Sequence, residues 1–198
     1  MRLLWLKALV LLSAPALGQE AWQLVKRDSS VTVYTRQEPG SEYKTFKAVG
    51  LVRSTPEKIL EVLDDVAHYK HWFAFSKSIR LLKRTQNEKY VYMETSFPWP
   101  FRNEDMIYKL SVTKNSNGEA KLVLNGLADF IPSIDGIQRM RGAKGYILLQ
   151  KEKEKEQTTI TYVMHAEFGG DIPPWLANTY IHLLPLQTLS NLIGRVKM

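Results

Sequence analysis

The C-terminal segment, residues 172–196, reads IPPWLANTYIHLLPLQTLSNLIGRV and carries a strong periodic signal. Its apolar residues recur at intervals of three and four, which is the spacing of one face of an α-helix. Pro173 and Pro174 stand at its start, where the first turn of a helix tolerates proline. Pro185 lies inside the pattern and removes a backbone donor, so it predicts a kink near residues 181–184. We therefore predict a long C-terminal helix with a bend inside it.

Upstream of this helix, the chain alternates apolar and polar residues in short runs separated by turn residues. Such alternation is typical of strands with one buried face. Strands are predicted at residues 31–36, 43–52, 78–85, 89–97, 105–113, 120–127, 137–151 and 158–168. Two short helices are predicted after the second strand, beginning near Ser54 and near Asp65. This order indicates an α+β domain in which a curved antiparallel sheet wraps around the C-terminal helix.

The first eighteen residues have the three-part layout of a secretory signal peptide. Arg2 and Lys7 make the start of the chain positive, an apolar run of ten residues follows, and small residues precede Gln19. The run is too short to span a bilayer, which needs about 20 apolar residues. We predict that residues 1–18 are removed and that residues 19–198 form one exported domain, periplasmic in a Gram-negative bacterium and otherwise secreted. A buried N-terminal helix is the alternative.

The charge and cysteine content narrow the possible partners. The net charge is +7, and losing Arg2 and Lys7 with the signal peptide leaves +5. Lysine and arginine are spread along the chain, whereas a nucleic-acid-binding surface needs a one-sign patch, so we expect no nucleic-acid partner. The excess of positive charge favours contact with an anionic membrane surface, or it serves only to keep the protein soluble. Because the chain has no cysteine, disulfides and thiolate metal sites are excluded.

Several short motifs, in order along the chain, resemble the START (steroidogenic acute regulatory-related lipid transfer) family. They are Trp22, residues 33–36 (VYTR), residues 39–41 (PGS), Asp65 with Trp72, residues 98–105 (PWPFRNED) and residues 169–178 (GGDIPPWLAN). The resemblance covers about residues 20–196. Two features depart from the family pattern. Glu104 stands where an arginine is usual before Asp105, which leaves Arg102 as the candidate substitute, and Pro185 interrupts the final helix.

The resemblance implies a helix-grip fold with a deep apolar cavity between the sheet and the C-terminal helix. It also implies a lipid or sterol-like ligand and, by position, a lid formed by residues 128–136. That loop carries three large apolar side chains, Phe130, Ile131 and Ile134. We favour a mobile lid that touches the membrane, because such side chains in a loop indicate a surface to meet. The alternative is that the three side chains simply pack into the domain.

Alternation along the strands supplies candidate cavity residues, since every second side chain points to the same face. The resemblance places three such sets inward: Tyr90, Tyr92, Glu94 and Ser96; Tyr146, Leu148 and Gln150; and Ile160, Tyr162, Met164, Ala166 and Phe168. The other candidates are Trp72, Trp175, Tyr180 and Leu183. Glu94 matches an acidic cavity residue of sterol-binding members, with Arg139 as its candidate partner. Alternatively, Glu94 forms an ordinary salt bridge near the sheet edge.

The sequence contains no constellation typical of an enzyme. GxSxG, HExxH, GxGxxG and P-loop motifs are absent, and His68 with His71 lacks the further ligand that a metal site needs. We expect no metal, no cofactor and no catalysis, and a monomer that carries a hydrophobic ligand or presents it to a membrane complex. The alternative is a cyclase or hydrolase on the same scaffold, with Glu94 or His165 as its acid or base.

Overall fold

The computed structural model of the 198-residue chain describes residues 21–116, 118–152 and 156–197. The predicted signal peptide, residues 1–18, lies outside these ranges and stays a prediction. Within the same ranges, no helix is long and apolar enough to cross a membrane.

The described residues form one sheet of ten strands, antiparallel except for one short parallel pairing. The strands are β1 (Gln23–Arg27), β2 (Val31–Gln37), β3 (Lys44–Val52), β4 (Ser76–Arg84), β5 (Glu88–Thr95), β6 (Glu104–Lys114), β7 (Ala120–Gly126), β8 (Gln138–Arg139), β9 (Gly142–Lys151) and β10 (Thr158–Glu167). Their spatial order is β1-β2-β3-β10-β9-β7-β6-β5-β4, and β8 pairs in parallel with β6. The predicted α+β class with an antiparallel sheet is confirmed.

The strands of the structure differ from the predicted ones in two places. Residues 23–27 form β1, which the sequence pattern did not predict. Residues 137–151, predicted as one strand, form β8 and β9 with a break between them. At this break the backbone changes partner, because Met140 N–H donates to Asp105 O whereas Arg141 N–H donates to Glu167 O. The chain therefore leaves β6 and joins β10 within two residues.

The helical segments are α1 (Pro56–Asp64), a 3-10 helix (Val66–His71), α2 (Pro174–Tyr180) and α3 (Leu183–Val196). The predicted C-terminal helix is therefore two helices separated at Ile181 and His182. Pro185 lies in the first turn of α3, where its missing N–H leaves the carbonyl of Ile181 without a helical partner. The kink predicted near residues 181–184 is thus confirmed as a full break.

The core lies where α3 packs on β2 and β3. Leu189, Leu192 and Ile193 of α3 are fully buried there. Two hydrogen bonds fix α3 to the segment after the 3-10 helix: Ala74 N–H donates to Thr188 Oγ1 at 3.1 Å, and Asn191 Nδ2 donates to the Trp72 carbonyl at 3.3 Å. The sheet therefore grips the last helix, as the helix-grip prediction required.

Strand β3 approaches α3 closely at Gly50. A Cβ atom placed on Gly50 would lie 2.7 Å from Ile193 Cδ1 and 3.3 Å from Leu189 Cδ2. We expect Gly50→Ala to lower the free energy of unfolding by about 1–3 kcal/mol, because overpacking forces the helix or its side chains to shift. Urea unfolding followed by circular dichroism measures this loss. Gly142→Ala is the matched control, since its Cβ would meet nothing within 4 Å, and equal losses in both variants would contradict the prediction.

Candidate binding pocket

A pocket of about 850 Å³ lies between the sheet and the C-terminal helices. Residues of β3, β5, β6 and β10 line it, together with residues of α2 and the segments on either side of α2. Its lining includes six phenylalanines and three methionines. The volume falls in the range of about 300–1,000 Å³ that is typical of small-molecule sites. The pocket is therefore large enough for a ligand and mainly apolar.

Few polar groups face the pocket. Among the described lining residues, Lys44 is the one that carries a charge, and Thr95, Ser96 and Asn178 are neutral and polar. The Asn178 side chain is already engaged: its Oδ1 accepts from Lys44 N–H and its Nδ2 donates to the Glu42 carbonyl, each at 2.8 Å. These bonds tie α2 to the start of β3. A ligand would consequently meet mostly hydrocarbon and aromatic surface.

A buried carboxyl group lies beside this apolar wall. Glu104 is fully buried, and it pairs across β5 and β6 with the lining residue Thr95, so the two side chains share a face of the sheet. Gly169 N–H donates to Glu104 Oε2 at 3.0 Å, whereas Oε1 has no hydrogen-bond partner among the described residues. Burial raises the pKa of Glu104 to about 7, against the opposing effect of the Gly169 N–H. This carboxyl is therefore only half satisfied.

Several large exposed apolar residues line the pocket or are next in sequence to residues that line it. Phe75, Tyr180 and Leu183 both line the pocket and reach solvent, so they mark its opening. Trp99 and Trp175, each next in sequence to a lining residue, are 92% and 69% exposed. We call these five residues, four of which are aromatic, the aromatic rim. Exposed apolar groups concentrated at one opening are typical of a surface that meets a membrane or a partner.

The alternating set predicted for β10 falls on the pocket side. Met164, Ala166 and Phe168 line the pocket. Tyr162 is buried in the core beside it, with its ring centroid 5.0 Å from that of Phe46 and its hydroxyl 3.1 Å from Met164 Sδ. The face predicted for this strand is therefore the pocket face.

Of the cavity residues predicted on the helices, some line the pocket and one does not. Tyr180 and Leu183 line the pocket, and Trp175 lies at the rim. Trp72 is buried in the core, with its ring centroid 4.8 Å from that of Tyr69, and is not part of the lining. Trp72 therefore supports the domain and does not contact a ligand in the pocket.

The face predicted for β5 is wrong. Met93 and Thr95 line the pocket, so Tyr92 and Glu94 lie on the opposite face of the sheet. Tyr92 is nevertheless buried there, with the guanidinium of Arg80 4.5 Å from its ring centroid. Because both faces of β5 are covered, its apolar pattern did not distinguish them.

Glu94 also has different partners from the expected one. Asn103 Nδ2 donates to Glu94 Oε1 at 2.8 Å, and Lys77 Nζ lies 3.1 Å from the same oxygen. The pairing predicted between Glu94 and Arg139 is wrong, since Arg139 pairs with Asp105. Glu94 thus makes an ordinary salt bridge, which is the alternative that the sequence left open.

The face predicted for β9 is also wrong. Ile147 and Leu149 belong to the buried core, so the intervening side chains lie on the opposite face. On that face, Lys121 Nζ lies 4.3 Å from the ring centroid of Tyr146. The three candidates placed away from the pocket are Tyr146, Leu148 and Gln150.

Arg139 connects a loop to the sheet. Its Nε donates to Asp105 Oδ1 at 2.5 Å, in a pair that is nearly buried. Arg102, the candidate substitute at this corner, pairs instead with Asp171 at 2.5 Å. Arg139 Nη2 also donates to Asp105 Oδ2 at 3.3 Å. Its Nη1 and Nη2 groups donate to the carbonyls of Ala128, Ile131 and Pro132. This one side chain therefore holds the 128–136 loop in place.

The predicted lid lies away from the pocket. The ring of Phe130 stacks on Tyr90 with centroids 4.7 Å apart, and Tyr90 shares the face of Tyr92. Ile131 and Ile134 are half-buried, and none of Phe130, Ile131 and Ile134 is part of the lining. In this structure the loop does not cover the pocket, and its contacts agree with the alternative in which these side chains pack into the domain.

Sequence reasoning missed most of the phenylalanines that enclose the pocket. Phe73 and Phe75 follow the 3-10 helix, and Phe97 and Phe101 belong to the segment between β5 and β6. The sequence did contain a signal for them at residues 97–101, which read FPWPF. Three aromatic side chains in five residues are unusual in a solvated turn. In the sequence, this stretch contributed to the resemblance to the START family through residues 98–105 and was not assigned to the pocket.

The histidines make local contacts. His165 lies on the face of β10 opposite the pocket, with Nδ1 3.3 Å from Thr45 Oγ1 and Nε2 2.9 Å from Glu167 Oε1. The rings of His68 and His71 stack with centroids 5.6 Å apart. Across the described part of the chain, no three metal-ligating side chains form a group that could hold a metal ion.

Comparisons with known proteins agree with this architecture. The family model of the START domain matches residues 7–192. An uncharacterized protein of Pseudomonas aeruginosa is 30% identical over 173 residues, 87% of this chain and 85% of that protein. The phosphatidylcholine transfer protein of Mus musculus is 25% identical over 173 residues, 84% of this chain and 79% of that protein. The crystal structure of a STAR-related lipid transfer protein from Xanthomonas axonopodis has a TM-score of 0.84 and 30% identity, covering 90% of this chain and 100% of that one. This chain therefore belongs to the START domain family.

Proposed function

We propose that this protein binds a lipid in its pocket and carries it across the periplasm or presents it to a membrane complex. The observation that carries the proposal is the apolar pocket of about 850 Å³ between the sheet and the C-terminal helices. Two of the similar proteins, from Mus musculus and Xanthomonas axonopodis, are named for lipid transfer. Both support a carrier role for the same pocket in this chain.

The energetics of lipid transfer explain why such a carrier is useful. Each CH₂ group exposed to water costs about 0.8 kcal/mol, so a sixteen-carbon chain faces a barrier on the order of 13 kcal/mol. A pocket lined by phenylalanine and methionine replaces water around that chain and lowers the barrier. The lipid can then cross an aqueous compartment without being modified.

We propose that the bound lipid leaves chemically unchanged. The alternative of a cyclase or hydrolase requires an acid or base at the ligand, and the two candidates were Glu94 and His165. Both lie on the face of the sheet opposite the pocket, where each is engaged by neighbouring side chains. Their positions favour the carrier over the enzyme.

Native mass spectrometry with organic extraction, on protein purified from its own host, tests the lipid proposal. We expect a bound lipid that is recovered intact after prolonged incubation. Ala166→Trp should abolish this loading, because it places an indole ring in the pocket lining. Thr161→Trp, on the other face of β10, is the matched control and should load normally. A chemically altered product, or equal loading of both variants, would overturn the proposal.

Export is the part of the proposal that rests on the sequence of residues 1–18. N-terminal sequencing of protein from the periplasmic fraction is expected to show a mature chain that begins at Gln19. Protein that retains Met1 and stays in the cytosol would refute export, without affecting the proposal that the pocket binds lipid.

The aromatic rim is the surface we propose for membrane contact. Tryptophan and tyrosine favour the interface between water and hydrocarbon. Tyr180 lines the pocket, and Trp99 and Trp175 are exposed and next in sequence to lining residues. The net positive charge of the chain favours anionic lipid surfaces. With the rim in contact with the bilayer, a lipid can pass from the membrane into the pocket without becoming fully exposed to water.

We expect the double variant Trp99→Ser, Trp175→Ser to slow lipid transfer between vesicles at least tenfold, while equilibrium loading changes little. Removing two exposed indoles weakens contact with the bilayer, which limits the rate, but leaves the pocket lining intact. Transfer of a fluorescent lipid between anionic vesicles measures this rate. Leu51→Ser, an exposed apolar position at the far end of β3, is the control. A slow Phe130→Ser variant beside a fast tryptophan variant would show instead that the 128–136 loop is the entry route.

A further inference from the structure

Glu104 has an unused hydrogen-bonding atom. The residue is fully buried, and Oε2 accepts the Gly169 N–H, but Oε1 has no partner among the described residues. A buried polar atom without a partner lowers stability, because it has lost its bond to water and gained nothing in return. Such an atom calls for an explanation, and a bound group that supplies the missing bond is one of the explanations.

The position of Glu104 connects it to the pocket. Its cross-strand neighbour Thr95 lines the pocket, and so does Tyr108, which lies four residues along β6 on the same face. Tyr43, another lining residue, is also near: burial raises the pKa of Tyr43 and Tyr108, and the charge of Glu104 raises both further. Glu104 is not itself part of the lining, so its carboxyl group lies behind the part of the wall formed by these three lining residues.

Two of the carboxylates near Glu104 are already paired with arginines. Asp105 is held by Arg139, and Asp171 is held by Arg102. Arg141 Nε donates to the Phe168 carbonyl. Arg141 is the one cation near Glu104 outside those ion pairs, and its charge already acts on both Glu104 and Glu167. An anionic ligand head would add a further negative charge beside these carboxyl groups, with no second such cation near Glu104 among the described residues. The chemistry of this end of the pocket therefore favours an uncharged head.

We propose that Glu104 Oε1 binds the hydroxyl group of an uncharged lipid, so that the pocket selects lipids with a single hydroxyl head, such as long-chain alcohols. A hydroxyl both donates and accepts, so it satisfies Oε1 whether the carboxyl is ionised or protonated. The apolar wall then takes the hydrocarbon part of the lipid. This inference rests on the proposed lipid-binding function and adds the class of ligand to it.

A thermodynamic cycle with two ligands tests the inference. The delipidated protein is titrated with 1-hexadecanol and with hexadecane, each delivered from cyclodextrin, and the same titrations are made with Glu104→Met. We expect the substitution to weaken hexadecanol binding about tenfold more than hexadecane binding, which is the effect of one hydrogen bond to a carboxyl group. Glu104→Gln should keep the preference, because an amide also donates and accepts. Glu94→Gln, on the opposite face, should leave both affinities unchanged.

Infrared difference spectroscopy provides a readout that does not depend on the methionine variant. At pH 5.5, hexadecanol but not hexadecane should shift the carboxylic-acid C=O band, and the shift should vanish in Glu104→Gln and persist in Glu94→Gln. Equal effects of Glu104→Met on both ligands, or a spectrum that does not respond to the alcohol, would overturn the role of Glu104. If neither ligand binds the unsubstituted protein while native mass spectrometry still finds a bound lipid, the inference about the hydroxyl head fails and the lipid-binding proposal stands; if native mass spectrometry finds no lipid either, both fail.

Discussion

Arg139→Ala is expected to lower the free energy of unfolding by about 3–5 kcal/mol, because it leaves a buried carboxylate without its counter-charge. The side chain of Asp105 is 1% exposed and that of Arg139 is 10% exposed, so water cannot replace the lost partner. The substitution also removes the donors that hold the carbonyls of the 128–136 loop. Urea unfolding measures the stability, and limited proteolysis should show faster cleavage in this loop.

Two controls separate the buried charge from a general effect of removing a cation. Lys144→Ala breaks an ion pair with Glu38 in which the lysine is 65% exposed, and it should cost less than about 1 kcal/mol. Adding Asp105→Asn to an Arg139→Met background removes the unpaired charge and should restore part of the stability lost with Arg139 alone. If Arg139→Ala costs no more than Lys144→Ala, the pair does not stabilise the fold.

Stability is expected to fall as the pH rises from about 4.5 to about 7, by up to about 3 kcal/mol from Glu104 alone. Burial raises the pKa of Glu104 from 4.5 to about 7 in the folded protein. Between these values the folded state binds the proton and the unfolded state has released it, so each increase in pH favours unfolding. Below 4.5 both states are protonated and above 7 both are ionised, so the contribution of Glu104 is constant outside this window.

Glu104→Gln removes this titration and keeps an acceptor for the Gly169 N–H. The difference in unfolding free energy between the variant and the unsubstituted protein should therefore grow with pH through the window, with the variant relatively more stable above pH 7. Urea unfolding at several pH values from 4 to 8 measures it. A difference that does not change with pH would mean that the folded and unfolded proteins ionise Glu104 alike.

The order of the elements could be predicted from the sequence because it depends on local properties. Helical spacing at residues 172–196 and proline at position 185 predicted one long helix with a bend. The structure has two helices, α2 and α3, in its place. Most strands followed from alternation and turn residues. These signals reside in neighbouring side chains, so each element carries them in its own sequence.

The side of the sheet that forms the pocket could not be predicted for every strand. On β10 the pattern matched the pocket face, since Met164 and Ala166 belong to the predicted set. On β5 the chain has apolar residues at successive positions, and the second face is covered by Arg80 and the 128–136 loop. Alternation identifies the inner face only where the outer one is in water.

By itself, the sequence determined the α+β class, the family resemblance and the interruption of the final helix, because each of these depends on residues that are close along the chain. Only the tertiary structure decided that Arg139 pairs with Asp105, that Phe130 packs on Tyr90, and that Glu104 lies beside the pocket with one oxygen unpaired. These contacts join residues that are distant in sequence, and their geometry is fixed by the register of the strands and by the path of the loops between them. Neither of these is encoded in the local pattern of apolar and polar residues.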